Sequence, residues 1–330
     1  MTQMDRYLLK TLIKSVLGVL LVLLVLDLVA EGSSEASKTY GKSALLPFIQ
    51  QLIHELPQKI SLYLPAALLL GSLLGYGQHA SHNELTLLQA SGCSQWRIVR
   101  SGLGFALVAG FIALLIQEIA PKTPPHSASK ALWLLDGETI VHIERQEDHT
   151  LHHVHLYQAN PLTLTHIERA TWQNNTWQLQ NAYQSTLSQN ERSSPKPITT
   201  WQSALTPEHI AKLGHPEYAT RLREQHELIQ LLKHYHQDSQ REQLHYFQQL
   251  SYPLTTLTML LLALPFAFGH SRLGGQGLRL LIGILLGLGY YLVQGVLTNL
   301  TLLLQWSVWV AVLFPNVLFA SYPLWRLRQQ

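Results

Sequence analysis

Three short stretches carry residue types that do chemistry in other proteins. Gly41-Lys42-Ser43 matches the end of a phosphate-binding P-loop, where backbone N–H groups and a lysine cradle a nucleotide. The position five before Gly41 is Ala36 where that loop needs glycine, and no strand precedes it. His54-Glu55-Leu56-Pro57-Gln58 resembles the helix of zinc proteases, in which two histidines one turn apart flank a general base. Gln58 stands at the second ligand position, and Pro57 is expected to break the helix. Gly274, Gly275 and Gly277 lack the βαβ surroundings that a dinucleotide requires. The remaining candidates are histidines, 13 of the 17 falling between residues 121 and 252. His153 and His155 are expected on one strand face with His142 on a neighbouring strand, yet neither a cysteine nor a spaced carboxylate completes a ligand set. They read as surface residues of a β domain. Cys93, the only cysteine, has no partner for an internal disulfide. With no nucleophile–base pair either, the chain reads as a protein that is not an enzyme and holds neither metal nor cofactor.

The elements that position these residues are set by hydropathy. Charged residues make up 13% of the chain, against about 25% in an average soluble protein. The deficit is local, concentrated in residues 1–30, 60–78, 101–120 and 253–325. Crossing ~30 Å of hydrocarbon at ~1.5 Å per residue takes about 20 apolar residues. Leu12–Ala30, Ile60–Gly77, Ser101–Ala120, Pro253–Gly269, Leu278–Asn299 and Leu302–Trp325 each approach or exceed that length. The first is too long for a signal peptide and no small-x-small cleavage site follows it. A net charge of +3 without a Lys/Arg run gives no footprint for nucleic acid.

Basic residues in short connections fix the orientation. Arg6, Lys10 and Lys14 precede the first span, and Arg97 and Arg100 lie between the second and third. Arg272 and Arg279 lie between the fourth and fifth, and Arg326 and Arg328 follow the sixth. If every span crosses, all four clusters fall on one side, which is the cytoplasm. Both termini are then cytoplasmic, and residues 121–252 lie on the opposite side of the membrane. Within that insert, Thr139–Arg145, Leu151–Tyr157, Leu162–Trp172 and Thr176–Leu187 read as short strands, with Asn174-Asn175 as a turn. Strands at this spacing predict a β-sandwich or jelly roll. From Pro207 the period turns helical. The fold class is thus a membrane α-helical protein of about six spans with an inserted β-jelly-roll-like domain. Its parts are residues 1–120 with spans one to three, the insert 121–252, and residues 253–330 with spans four to six.

After the second span, Ser81 or Asn83 is placed to cap a short helix that Gly92 ends, with Leu85, Leu88 and Gln89 as a narrow stripe and Glu84 as an exposed acid. Such a helix, near residues 82–92, suits docking into a groove of another protein. Its sequence, N-E-L-T-L-L-Q-A-S-G-C-S, resembles the coupling helix of the LptF/LptG permease family, which exports lipopolysaccharide in Gram-negative bacteria. Asp5-Arg6-Tyr7-Leu8, Leu64–Gly71, the block from Trp133 to Arg145 and Tyr252–Gly269 are similar too. The likeness covers essentially the whole chain, and Gln89-Ala90-Ser91-Gly92 with the Trp133 block lies nearer the LptG branch.

The resemblance implies a half-permease that pairs with an LptF-like second permease above an LptB-like ATPase dimer. LptC joins that complex, and lipopolysaccharide passes to LptA. It also implies that Glu84, with Leu85, Leu88, Gln89 and Gly92 around it, sits in the ATPase groove, and that ATP is bound by the partner alone. In the family, basic residues at the outer end of the first span contact lipid A phosphates. This chain has Glu31-Gly32-Ser33-Ser34-Glu35 there, leaving Lys38, Lys42 and Lys59 as the nearest cations. An inward jelly-roll face of Ile140, Ile143, Val154, Leu156 and Leu164 would hold acyl chains, and the same residues would serve a plain sandwich core. The glycine pairs Gly71/Gly75 and Gly283/Gly287 allow close helix approach, within the chain or at a moving interface. An inner-membrane scaffold or sensor that binds an envelope partner is the alternative function.

Overall fold

The computed structural model describes residues 3–36, 45–81, 84, 87, 90, 91, 95–119, 131–147, 149–159, 162–186, 196–214, 221–235, 237–267 and 276–328, with backbone alone at 31–36, 45–54, 81, 95, 276, 327 and 328. In chain order these form helices α1 (Gln3–Ala36), α2 (Leu45–Ser81) and α3 (Gln95–Ile119). Strands β1 (Leu132–Asp136), β2 (Thr139–Glu147), β3 (Thr150–Gln158), β4 (Thr163–Gln173), β5 (Thr176–Thr186) and β6 (Lys196–Trp201) follow. Helices α4 (Pro207–Gly214), α5 (Leu222–His234), α6 (Gln240–Leu250), α7 (Tyr252–Ala267), α8 (Gln276–Leu304) and α9 (Val308–Arg328) complete the order. Two compact units result, Met1–Pro121 with Leu244–Gln330, and Lys122–Gln243.

In the helical unit, α1, α2, α3, α8 and α9 are each long and apolar enough to cross a membrane, and α6 with α7 makes a sixth span if their 57° bend is counted as one crossing. The bend falls beside Pro253, whose ring cannot follow a preceding helical turn but suits the first turn of a new one. Helix α7 is the core: Thr256, Met259, Leu260, Ala263 and Leu264 are buried, and it packs on α2, α3 and α9. Leu21, Val25, Leu285, Leu288 and Leu292 are exposed, the outward apolar faces that a hydrocarbon solvent requires.

Two expectations about these helices change. Helix α2 continues through Pro57 and Pro65, because proline costs one hydrogen bond and a bend, which packed membrane helices absorb. The connection between the last two spans is Gln305–Ser307 rather than 299–302, since α8 runs on to Leu304 and Gln305 takes a left-handed φ of 51°. The glycine pairs serve packing within the chain. A Cβ on Gly71 would lie 2.6 Å from the Val16 Cα of α1, and one on Gly287 would meet the Leu69 side chain at 3.1 Å.

The β-rich insert is a six-stranded antiparallel meander, β1-β2-β3-β4-β5-β6. Among the described residues each strand therefore pairs with its sequence neighbours. Asn174 and Asn175, with φ of 50° and 62°, join β4 to β5 between Gln173 and Thr176. Two positive φ angles are what a two-residue type I′ hairpin demands. One face of the sheet is covered: Val141, Ile143, Leu151, Val154, Ile167, Ala170 and Trp177 share a core with Ile210 and Leu213 of α4 and Leu228 and Leu232 of α5. The alternation slips once along each of the three central strands. Val154 and Leu156 face inward, yet so does Leu151; Ile167 does, yet so does Ala170; Ala182 does, yet so does Leu179. The slip crosses the sheet where His153 and Asn181 take left-handed φ angles of 52° and 51°.

Candidate functional site

In the helical unit, polar residues collect near the two ends of Glu55–Ala80, the apolar span within α2. At its Ser81 end, His79 is buried and its Nδ1 lies 2.6 Å from the Glu84 carboxylate. The Tyr7 ring of α1 meets the imidazole edge-on at 5.2 Å between centroids. Nearby, the Arg279 guanidinium of α8 donates to the Gly77 carbonyl at 3.2 Å, where a cation offsets the exposed carbonyls of a helix terminus. Glu84, expected as a free acid on the coupling helix, is thus tied back to the second span. Leu87 and Ala90 are exposed on the same short helical piece, while Leu85, Leu88, Gln89, Gly92 and Cys93 lie outside the described residues.

Towards the other end of α2, Lys59 meets Asp27 of α1 at 2.8 Å and Glu55 at 3.5 Å, and Tyr63 donates its hydroxyl to Asp27 at 2.6 Å. Lys59 and Asp27 are largely buried, with side chains 11% and 17% exposed. A cation and a carboxylate inside apolar helices satisfy one another, since either alone would be costly there. The lysine expected to meet phosphate is already matched by two carboxylates. Lys38, Lys42 and the Gly41-Lys42-Ser43 stretch lie outside the described residues, while the His54-Glu55-Leu56-Pro57-Gln58 stretch is helical within α2, His54 being described by its backbone alone.

The β unit separates the five residues expected on one inward face. Ile143 and Val154 are fully buried beneath α4 and α5, and Leu156 sits beside them. Ile140 pairs with Tyr157 and Tyr157 with Leu164 on the opposite face, where Ile140 is exposed. The register of β2 is unbroken from Ile140 to Ile143, so their odd separation puts them on opposite faces. At the open end of the covered face, Leu156 borders a cavity of about 530 Å³ with Asp136, Thr139, Gln158, Thr165, Gln184 and Trp201. Gln202, Ser203 and Ala204 form one wall, and hydrogen bonds hold that segment: Ser203 donates to Asp136 at 2.5 Å, Tyr235 to the Ala204 carbonyl at 3.0 Å, and Trp177 to the adjoining Leu205 carbonyl at 2.9 Å. Burial, with the Asp136 carboxylate adding to it, raises the Tyr235 pKa and keeps the phenol a donor. Such a lining offers hydroxyl and amide partners beside one apolar strip.

His142 does lie beside His155, as expected, and His166 joins them from β4, while His153 does not. Burial, followed by the neighbouring His166 and His142, lowers the His155 pKa. Among the described residues no group of three or more His, Cys, Asp or Glu is arranged to hold a metal.

Sequence reasoning missed His79, Asp27 and Tyr63. Asp27 carried a signal, being a carboxylate inside an apolar run. His79 and Tyr63 carried none, because their roles depend on which faces of neighbouring helices meet.

Residues 6–329 match the family described as "Lipopolysaccharide export system permease LptF/LptG". Lipopolysaccharide export system permease protein LptG of Escherichia coli K12 is 26% identical over 358 residues, covering 99% of this chain and 98% of that protein. LptG of Haemophilus influenzae is 25% identical over 355 residues, with the same coverage.

Proposed function

The chain belongs to the LptF/LptG family of lipopolysaccharide export system permeases, and from that premise we propose that it is the non-catalytic permease subunit of an ATP-driven ABC transporter. It extracts lipopolysaccharide from the inner membrane and delivers it to a periplasmic bridge. One observation carries this reading: the family match takes in every apolar helix and the β insert together. The side assignment rests on the four basic clusters, which put both termini in the cytoplasm and the β unit in the periplasm.

The partners are those that membership of the export-system family implies. Energy comes from a separate LptB-like ATPase dimer, a second LptF-like permease completes the lipid path, and LptC and LptA receive the lipid. Glu84 docks on the ATPase, and its link to His79 carries that movement into α2. Lys59 contacts a lipid phosphate by exchanging one of its two carboxylates, alongside Lys38 and Lys42. Acyl chains enter the covered sheet face at Leu156, beside the cavity, and Ile143 and Val154 become available only if α4 and α5 move. Ile140 and Leu164 would then offer a separate apolar contact on the other face.

The test is co-purification of the tagged full chain in mild detergent, with Glu84→Ala beside the parent. Recovery of an ATPase and a second six-span protein with the parent, and loss of the ATPase from the variant, is the expected result. Capture of neither by the parent would favour the scaffold or sensor role. An ATPase held equally by both chains would remove Glu84 from the docking role.

A further inference from the structure

On the covered face of the meander, successive cross-strand rows run from apolar to polar. Ile143, Val154, Ile167 and Ala182 make one row, Val141, Leu156, Thr165 and Gln184 the next, and Thr139, Gln158 and Thr163 the third. A sheet face that served only a core would stay apolar along its length. The second and third rows instead line the cavity of about 530 Å³, a size within the ~300–1,000 Å³ of small-molecule sites.

The polar groups around this cavity fall into two sets. One is already paired: Gln158 donates to the Thr139 hydroxyl at 3.1 Å and accepts from Thr163 at 3.0 Å, and Ser203 donates to Asp136. These bonds fix the rim. The other set is open: among the described residues, no protein group bonds to the side chains of Thr165, Gln184, Thr200 or Gln202, all of which line the cavity. Thr165 is the informative one. It is only 6% exposed, and buried hydroxyls ordinarily have a partner.

Charge narrows the ligand further. Asp136 is the one charged residue of the lining, which includes no lysine, arginine or histidine. A phosphate or carboxylate would meet a like charge there with no cation to offset it. An acyl chain would leave the open hydroxyl and amides without partners. A neutral ring edged with hydroxyls meets both conditions, because vicinal hydroxyls donate and accept as an amide does. Trp201, braced on Trp177 with ring centroids 6.1 Å apart, supplies aromatic surface for the ring's C–H bonds. We propose that this cavity is a neutral-saccharide site in which Thr165, Gln184, Thr200 and Gln202 bind ring hydroxyls. A sugar of the exported lipid and a free glycan share this chemistry, so the site goes beyond the export role without depending on it.

The experiment is saturation-transfer NMR on the full chain, held in a detergent without a sugar headgroup. Probes are methyl α-D-glucopyranoside, methyl α-D-galactopyranoside and N-acetylglucosamine, with glucuronate as the charged counterpart. At least one neutral sugar should give a signal, and glucuronate none. Thr165→Val and Gln202→Ala should each weaken binding about three- to tenfold, and Thr165→Val with Gln184→Leu should abolish it. Gln202 is exposed in the chain after β6, so its effect is free of any folding defect. Displacement of the bound sugar by the water-soluble oligosaccharide cleaved from lipopolysaccharide points to the exported lipid, and failure to displace it points to a free glycan; both keep the site. Silence from every neutral sugar, equal binding of glucuronate, or unchanged affinity in all the variants would overturn it. ATPase co-purification, which these substitutions should leave alone, remains the separate test of the export role.

Discussion

A carboxylate within an apolar helix persists only when something nearby repays its lost hydration. For Asp27 that is Lys59 at 2.8 Å with Tyr63 at 2.6 Å. Lys59→Met should therefore leave Asp27 uncompensated and cost about 3 kcal/mol, whereas Asp27→Asn with Lys59→Met together should return to within about 1 kcal/mol of the parent. Detergent-solubilised unfolding of the three chains measures both values. Lipopolysaccharide release by the double variant then asks whether Lys59 has a role beyond this pair: normal release would assign it to folding alone. The same logic divides His79 from Glu84. Were Glu84 needed only to dock a partner, His79→Ala would leave co-purification unchanged; since the two are 2.6 Å apart, His79→Ala should weaken ATPase retention in parallel with Glu84→Ala. Residue types were readable from the sequence at Glu84, Lys59 and Asp27, but their partners were not, because partnership is decided by helix rotation and no single chain segment encodes it.

Helices α1 and α2 approach as closely as they do because Gly71 has no side chain. A Cβ there would collide with the Val16 backbone, which cannot move as a side-chain tip can. Gly71→Ala should thus cost about 1–3 kcal/mol in detergent melts, and Gly287→Ala, which meets only the end of Leu69 at 3.1 Å, should cost less. Gly18, with nothing within 4 Å, is the control: Gly18→Ala should be neutral or gain up to ~1 kcal/mol in the isolated chain, since alanine is the better helix former. The sequence pattern located these glycines without saying which helix each would meet. Strands show the complementary limit. Asn174-Asn175 was legible as a turn because both residues tolerate positive φ, and Asn175→Val should cost about 1–2 kcal/mol while Asn175→Gly should not. The slip in alternation at His153 and Asn181 was illegible: both residue types tolerate positive φ, but each stands alone inside a strand-like run without a turn pattern around it. Ile140 is a different case: its odd separation from Ile143 was in the sequence, and period-two counting alone would have put them on opposite faces.

At the scale of the molecule, the spans and the insert were the most legible features, since twenty apolar residues leave few alternatives to a membrane helix. The bend between α6 and α7 was less so: α6 is polar by itself and reads as part of the insert, yet Leu244 packs with Val308, Ala311 and Val312 of α9. Sidedness is the property on which the export role turns, and it rests on charge rather than on packing. Arg6, Arg97, Arg279 and Arg326 must face the same compartment if the β unit is to receive lipid outside while Glu84 reaches an ATP-driven partner inside. Cys93, the only cysteine in the chain, lies in the same connection as Glu84 and makes the test specific. A membrane-impermeant maleimide should label it in inside-out vesicles and leave it unlabelled in intact spheroplasts. Protease added to spheroplasts should cut between Pro121 and Tyr252 and nowhere near Cys93. Labelling of Cys93 from outside would invert every assignment at once, because the Glu84 segment could no longer reach the nucleotide and the β unit could no longer reach the lipid's destination.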